Sequence, residues 1–356
     1  MTNRWSAILL LGPVIGLTGC GTYDRRGLDP ARVQEIETAS RSVSRRMSPG
    51  LEEKILGLDP AQVTEVQIHE VLSQAPAPRI INIHGGTAAV VTNMVSFAQF
   101  LVGMGYPEAS LKNPGDGTFT FSCYESSEMI AGVIAWHYER DGLRPMIVGH
   151  SQGGMQAVKV LHKLAGHYSS KLKVWSPLTW KVEDRSTVTD PLDGRTRPVV
   201  GLEVSYATAL LAGGLTRFLP NQWDLATSLR KIRDSVEAFT GFYKGNDLLG
   251  GDFLGYGSAN HYETEGRAVV RNVELPSEYD HFSIPDTRHL AQNQQIRDWI
   301  NRYQPAERPE LTVTFEADSS HILWAADVWH DIKKHWVLEL QRMIRAQRAA
   351  SRGPEK

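Results

Sequence analysis

The chain has 356 residues and almost no net charge, with 40 acidic and 38 basic side chains. This balance provides no excess of positive charge for a phosphate backbone, so no nucleic-acid partner is expected. Apolar residues make up 41% of the sequence, enough for one large α/β core with extensions.

The N-terminus has the pattern of an export signal. An apolar run over 5–17 follows a basic residue and is shorter than the ~20 residues that span a bilayer. It ends in Leu17-Thr18-Gly19-Cys20, which resembles the cleavage box of bacterial lipoproteins. The resemblance implies removal of residues 1–19, lipidation of Cys20 and anchoring at the cell envelope. Gly21 after the cysteine favours the outer membrane, and a plain signal peptide cleaved nearby is the alternative.

Residues 20–75 form a charged extension that favours helix. Asp29-Pro30 and Asp59-Pro60 each place an N-cap aspartate before a proline at the first helical position, which predicts two helix starts. The proline-rich segment 75–78 marks the end of this extension and the start of the main domain, 76–304.

Apolar runs and helical spacings alternate along the main domain. The sequence predicts strands at 79–83, 118–121, 145–148, 172–175, 236–243 and 268–275, and helices around 94–101 and at 125–139, 154–165 and 286–303. This alternation predicts an α/β fold with a mostly parallel central sheet and helices on both faces.

The alternation is interrupted by an insert at about 176–234, polar in its first half and apolar over 199–220. The apolar segment Tyr206–Leu215 ends near glycines that could act as hinges. It is interpreted either as a mobile lid over the site or as a fixed cap helix packed on the core. Beyond the main domain, the C-terminal extension 305–356 contains a possible strand at 311–315 and a long helix, and its partner is unknown.

The segment Gly149-His150-Ser151-Gln152-Gly153 lies between a predicted strand and a predicted helix. A G-x-S-x-G string in this context is typical of a nucleophile elbow. The sharp turn forces the serine into a strained backbone conformation, and a Cβ at Gly149 or Gly153 would collide with the neighbouring strand or helix. Ser151 is therefore the predicted nucleophile, with an ordinary glycine-rich connection as the alternative.

A serine nucleophile needs a general base and an acid that orients the base. His281 lies in the turn before the final core helix and is the best-placed base, with His289 and His261 as weaker alternatives. Asp247, at the tip of the turn after the strand at 236–243, is the preferred acid, and Asp252 is the alternative. Either aspartate could instead bond only to its own turn.

The developing negative charge needs backbone N–H donors. The amide of Gln152 is one predicted donor, and the amide of Gly86, in the loop His84-Gly85-Gly86-Thr87, is the other. His84 is expected to brace this loop rather than to act in catalysis.

No cofactor, metal site or disulfide is predicted. His162 and His167 are five residues apart, a poor match to one helical face, and no other metal-ligand spacing is present. With Cys20 lipidated, Cys123 is the only remaining thiol, so it is expected to be a small packing residue.

Taken in order, the motifs at 84–86, 149–154 and 280–282 resemble α/β-hydrolases of the bacterial lipase and carboxylesterase kind, over roughly 79–303. The resemblance implies a serine hydrolase that cleaves small-molecule or lipid esters through Ser151, His281 and Asp247. The alternatives are a thioesterase or amidase on the same residues, and a non-catalytic envelope protein in which the C-terminal helix binds a partner.

Overall fold

The computed structural model describes residues 27–42, 47–167, 171–213, 228–250 and 260–352. The expected signal segment with Cys20, the alternative acid Asp252 and residues 214–227 of the insert lie outside these ranges. The helices are α1 Pro30–Ser42, α2 Pro49–Leu56, α3 Glu65–Glu70, α4 Ala88–Gly103, α5 Ser127–Asp141, α6 Gln152–Leu164, α7 Gln294–Arg302 and α8 Ile322–Arg352.

The strands are β1 Ile80–His84, β2 Phe121–Ser122, β3 Met146–His150, β4 Trp175–Ser176, β5 Lys181–Val182, β6 Thr187–Thr189, β7 Thr196–Pro198, β8 Val204–Leu210, β9 Lys231–Ile232, β10 Val236–Lys244, β11 Glu263–Thr264 and β12 Val269–Leu275. Six of them form one sheet in the order β12-β10-β8-β3-β1-β2, and every pair in it is parallel. The predicted α/β class is confirmed.

Both faces of the sheet are buried. Successive strand residues point to opposite faces, so Met146 and Val148 of β3 enter one hydrophobic core while Ile147 enters the other. One core contains residues of α4, α7 and α8, and the other contains residues of α5 and α6. Burial on both sides explains why the strands are nearly continuous apolar runs.

The prediction of a lid or cap helix at Tyr206–Leu215 is wrong for 206–213, the part of this segment that the structure describes. Val204–Leu210 is β8, a fully buried strand in the middle of the sheet, between β3 and β10. A short apolar run buried on both faces has no alternating pattern, so its composition does not distinguish it from a buried helix. The prediction of a central-sheet strand at 172–175 is also wrong. Trp175 instead pairs with Val182 in the hairpin β4–β5, which is separate from the six-stranded sheet.

The polar half of the expected insert is folded into strands and turns. It forms the hairpins β4–β5 and β6–β7. The second hairpin packs on the carboxyl end of α5, where the Tyr138 hydroxyl donates to Asp190 and the Thr189 amide donates to Glu139. Because this end of α5 leads into the start of β3, the hairpin lies at the amino edge of the sheet.

The N-terminal and C-terminal extensions pack on each other. Three tryptophans of α8, Trp324, Trp329 and Trp336, are fully buried in the core of this chain. Gln341 of α8 donates to the carbonyl oxygens of Ile55 and Leu58 at 3.1 and 3.0 Å. The apolar face of α8 is therefore covered by the chain itself. No part of this 31-residue helix, or of the other described helices, is apolar over a length that would cross a membrane.

The two helix starts and the C-terminal strand predicted in the extensions are confirmed only in part. Asp29-Pro30 begins α1, as predicted, with the Asp29 carboxylate accepting from the Arg32 amide at 3.0 Å. Asp59-Pro60 begins only a single 3₁₀ turn, Pro60–Gln62, which lies between α2 and α3. The strand predicted at 311–315 is absent, since these residues have no regular secondary structure.

His335 gives the fold a testable dependence on pH. This α8 histidine is buried, stacks on the Tyr206 ring with centroids 5.5 Å apart, and has no hydrogen-bond partner for either ring nitrogen among the described residues. Burial lowers the pKa of His335 from 6.5 to about 4. Between these values the unfolded chain binds a proton that the folded chain does not, so this histidine lowers stability as the pH falls.

His335→Phe keeps the stacking and removes the titration. Between pH 7 and pH 4 the variant should lose about 3 kcal/mol less unfolding free energy than the wild type, measured by urea denaturation at a series of pH values. Equal losses in the two proteins would show that His335 does not titrate in this way.

Candidate active site

The predicted site residues meet at one edge of the sheet. Ser151 follows β3, Asp247 lies beyond β10, His281 lies beyond β12, and the loop with Gly86 follows β1. Because all these strands are parallel, their carboxyl ends lie at the same edge, which is where open α/β sheets bind ligands.

Ser151 occupies a strained turn between β3 and α6. Its φ of 54° and ψ of −122° are values that residues with a side chain rarely adopt. The Ser151 amide donates to the Leu210 carbonyl at 2.8 Å, and its carbonyl accepts from the Gly213 amide at 3.0 Å. The end of β8, on the neighbouring strand, therefore holds the turn in place.

The two glycines of the motif have the predicted steric role. A Cβ on Gly149 would lie 2.3 Å from the Gly153 carbonyl oxygen, and a Cβ on Gly153 would lie 2.2 Å from the Ile83 carbonyl oxygen. Both contacts are with backbone, which cannot move aside as the end of a flexible side chain can. The close approach of β1, β3 and α6 thus requires glycine at both positions.

Gly153→Ala should therefore destabilise the protein by at least about 1–3 kcal/mol, the usual cost of overpacking a core, as measured by chemical denaturation. Gly50→Ala is the matched control, because Gly50 lies in α2 with no atom within 4 Å of an added Cβ. It should raise stability by up to about 1 kcal/mol through helix propensity. Equal effects at the two positions would contradict the steric argument.

Ser151, His281 and Asp247 form a continuous chain of hydrogen bonds. The Ser151 hydroxyl lies 2.9 Å from His281 Nε2, and His281 Nδ1 lies 3.0 Å from both carboxylate oxygens of Asp247. His281 and Asp247 are only 5% and 4% exposed. A carboxylate can only accept, so Nδ1 carries the proton and Nε2 is free to accept from the serine hydroxyl.

The turn after β10 directs Asp247 toward the histidine. Asn246, directly before it, has a left-handed φ of 59°. Gly250 leaves room for the carboxylate, since a Cβ there would lie 2.3 Å from Asp247 Oδ2. Of the two aspartates considered from the sequence, Asp247 is the one in contact with His281, and Asp252 lies outside the described residues.

Backbone strain is concentrated around the site. Five non-glycine residues have positive φ in the described ranges. Three of them, Ser151, Leu211 and Asn246, follow the carboxyl ends of the adjacent strands β3, β8 and β10. Strain of this kind persists where the surrounding structure enforces it, and it is typical of functional sites.

Three side chains hold the turn that carries His281. The Asp280 carboxylate accepts from the Phe282 and Ser283 amides at 3.0 Å, so this residue bonds to its own turn. His150 Nε2 donates to the His281 carbonyl oxygen at 2.7 Å, and Asn93 Nδ2 donates to the Phe282 carbonyl oxygen at 2.8 Å. The contacts of His150 and Asn93 cross large separations in sequence, and no local pattern indicates them.

The loop after β1 lies against the elbow. A Cβ on Gly85 would lie 3.0 Å from the Ser151 Cβ, and one on Gly86 would lie 2.6 Å from Gln152 Oε1. His84 Nδ1 donates to the Gly85 carbonyl oxygen at 2.7 Å, so this histidine braces the loop. Gly86 and Gln152 are thus side by side next to the serine.

Tyr124 is a part of the site that sequence reasoning missed. Its hydroxyl donates to the Gly86 carbonyl oxygen at 3.1 Å, and the residue is 40% exposed. Leu248, Leu249 and Phe282, which directly follow the acid or the base in sequence, are exposed as well. Four of the eight large apolar side chains that are exposed in the described ranges are therefore next to the triad or its loops.

The other candidate histidines have different surroundings. His261 packs on Tyr243 with the two rings tilted and their centroids 4.4 Å apart, and His289 Nε2 lies 3.8 Å from Asp318 Oδ2. The His162 and His167 rings are 5.4 Å apart, and His162 Nε2 donates to the Ser228 carbonyl oxygen. Within the part of the chain that the structure describes, no three potential metal ligands lie together. Cys123 is buried in the core on the α5–α6 side.

No family model matches the sequence, and no curated protein is significantly similar to it. The geometry of the site is therefore the basis on which a function is assigned.

Proposed function

We propose that the protein is a serine hydrolase of the α/β-hydrolase type that cleaves carboxylic esters. The observation that carries this proposal is the unbroken chain of hydrogen bonds from Ser151 through His281 to Asp247. The position of Ser151 on a strained strand-to-helix turn supports the same proposal, because that turn presents the serine at the carboxyl edge of the sheet.

The geometry suits acyl transfer in two steps. His281 Nε2 accepts the proton of the Ser151 hydroxyl as the oxygen attacks the ester carbonyl, and Asp247 stabilises the imidazolium that forms. The protonated His281 then gives this proton to the leaving alcohol, which leaves an acyl group on Ser151. In the second step a water molecule gives a proton to His281 Nε2 as its oxygen attacks the acyl group. His281 then returns this proton to the Ser151 oxygen as the acid leaves, which restores the free serine hydroxyl.

The oxyanion of each tetrahedral intermediate needs donors beside Ser151. We assign this role to the backbone amides of Gln152 and Gly86, and each such donor contributes about 10²–10³ in rate. Gln152 begins α6, so its amide is one of the N–H groups left without a partner inside the helix. Tyr124 and His84 hold the carbonyl groups of Gly86 and Gly85, so they fix the loop that supplies the second donor.

The exposed rim favours substrates with apolar groups. Tyr124, Leu248, Leu249 and Phe282 offer apolar surface to an acyl chain or an apolar alcohol. Thioesters and amides react through the same groups, so the type of bond cleaved is a question for substrate profiling. The non-catalytic alternative has less support, because the apolar face of α8, its suggested docking surface, is buried in the chain's own core.

We also propose that lipidated Cys20 tethers the enzyme to the bacterial envelope, with the outer membrane favoured. The support for this location is the sequence Leu17-Thr18-Gly19-Cys20 with Gly21 after it. Metabolic labelling with a radioactive fatty acid should mark the wild type and not Cys20→Ser. Equal labelling of the two proteins would exclude this anchor.

The proposed activity is tested with p-nitrophenyl esters of increasing acyl length, beside a matched thioester and amide. We expect turnover of the esters, and the preferred acyl length reports the size of the apolar subsite. If none of the three substrate types is turned over, the proposed function is wrong.

A further inference from the structure

Two consecutive carbonyl groups of the base turn are held by side chains from other elements. The His281 carbonyl accepts from His150, which belongs to the nucleophile elbow. The Phe282 carbonyl accepts from Asn93, which lies on α4, the helix after the oxyanion loop. The turn that carries the base is thereby connected to the nucleophile elbow and to the helix that follows the oxyanion loop.

The ring of His150 is fixed in one protonation state. A carbonyl oxygen can only accept, so the His150 nitrogen that faces it, Nε2, carries the proton. The residue is 0% exposed, and burial together with the neighbouring His281 lowers the pKa of His150 to about 3. His150 therefore remains a neutral donor throughout the range in which an esterase works.

The hydrogen bond from His150 to the His281 carbonyl, unlike the bonds within the triad, is not broken during the reaction. When Ser151 carries an acyl group, its hydroxyl proton is gone and its bond to His281 Nε2 is lost. The bond from His150 to the His281 carbonyl takes no part in proton transfer and persists through both halves of the reaction. It can hold the base in place while water attacks the acyl-enzyme.

We infer that His150, supported by Asn93, is a positioning residue that fixes the base turn against the nucleophile elbow. The inference rests on the proposed function. Displacement of a catalytic group by about 1 Å costs up to about 10²-fold in rate, so loss of this bond should lower kcat. KM should stay unchanged, because the buried His150 ring does not reach the solvent-accessible mouth of the site.

His162 is a matched control for His150. It is also buried, at 1% exposure, and its Nε2 also donates to a backbone carbonyl, that of Ser228, at 2.9 Å. Its Nδ1, like that of His150, has no partner among the described residues. The two histidines therefore make the same kind of bond, but His162 lies in the last turn of α6 and its bond goes to Ser228 rather than to the base turn.

The test compares His150→Leu, His162→Leu and His150→Gln in the full-length chain. The first two should lower the melting temperature similarly, but only His150→Leu should lower kcat and the rate of fluorophosphonate labelling, by about 10²-fold. His150→Gln should recover most of both rates, because its side-chain amide offers a donor in a similar position. Equal kcat in His150→Leu and wild type, or equal losses in His150→Leu and His162→Leu, would overturn the inference.

A His150→Leu variant that does not fold and a wild type without activity lead to different conclusions. If His150→Leu does not fold, Asn93→Ala, at a half-buried helical position, tests the inference instead. A lower kcat with unchanged KM supports the positioning role, and a wild-type kcat overturns it. If the wild type neither turns over esters nor is labelled, the proposed function fails first and the inference fails with it.

Discussion

Asp247→Asn is expected to lower kcat for ester hydrolysis by about 10⁴-fold. The carboxylate accepts from His281 Nδ1 with both oxygens at 3.0 Å, and this fixes the proton on Nδ1. An asparagine can offer an N–H instead, which favours the opposite tautomer, with the proton on Nε2. That nitrogen then cannot accept the proton of Ser151.

The alternative acid provides the control for this substitution. Asp252→Asn should leave kcat near the wild-type value if Asp247 is the acid, and both variants should be compared on the same ester. A loss confined to Asp252→Asn would move the role of acid to that residue. It would leave Ser151 and His281 in their proposed roles.

Ser151→Ala is expected to remove about 10⁶-fold of the turnover, the loss typical of a missing serine nucleophile. The change deletes only the hydroxyl that lies 2.9 Å from His281 Nε2, so no acyl-enzyme can form. The oxyanion donors are backbone amides and stay in place, so a small residual rate above the uncatalysed reaction is expected.

Ser283→Ala is the matched control for the nucleophile. The Ser283 hydroxyl also lies beside an imidazole, 3.4 Å from His321 Nε2, but it is not on a strained elbow. This variant should keep the wild-type kcat, whereas Ser151→Ala should show almost none. The reverse pattern would place the nucleophile at Ser283.

The parts of the site that were predictable depend on local sequence. The elbow was predictable because strand, glycine-flanked serine and helix are consecutive, and because steric limits at Gly149 and Gly153 act over a few residues. Asp247 and His281 were predictable as residues in turns after two strands, since parallel strands bring such turns to one edge. Their contact with each other was not visible in the sequence, which left Asp252 as an alternative to the preferred Asp247.

The parts that were missed depend on long-range packing. The sequence predicts a lid or cap helix at Tyr206–Leu215 where β8 lies, because Val204–Leu210 is buried on both faces and shows no alternation. The bonds from Tyr124 to Gly86 and from His150 to His281 join residues that only the folded sheet brings together. The mutual packing of α8 and the N-terminal helices has the same origin, since residues about 280 positions apart meet there.

The most direct test of the proposed serine hydrolase site is covalent labelling by a fluorophosphonate, followed by peptide mapping. Such a probe reacts with a serine only when a base removes the hydroxyl proton and donors stabilise the oxyanion. We expect stoichiometric labelling of the wild-type chain on the peptide containing Ser151, and no labelling of Ser151→Ala. A wild-type chain that stays unlabelled, or one labelled at another residue and equally in Ser151→Ala, would contradict the assignment of this site as a serine hydrolase centre.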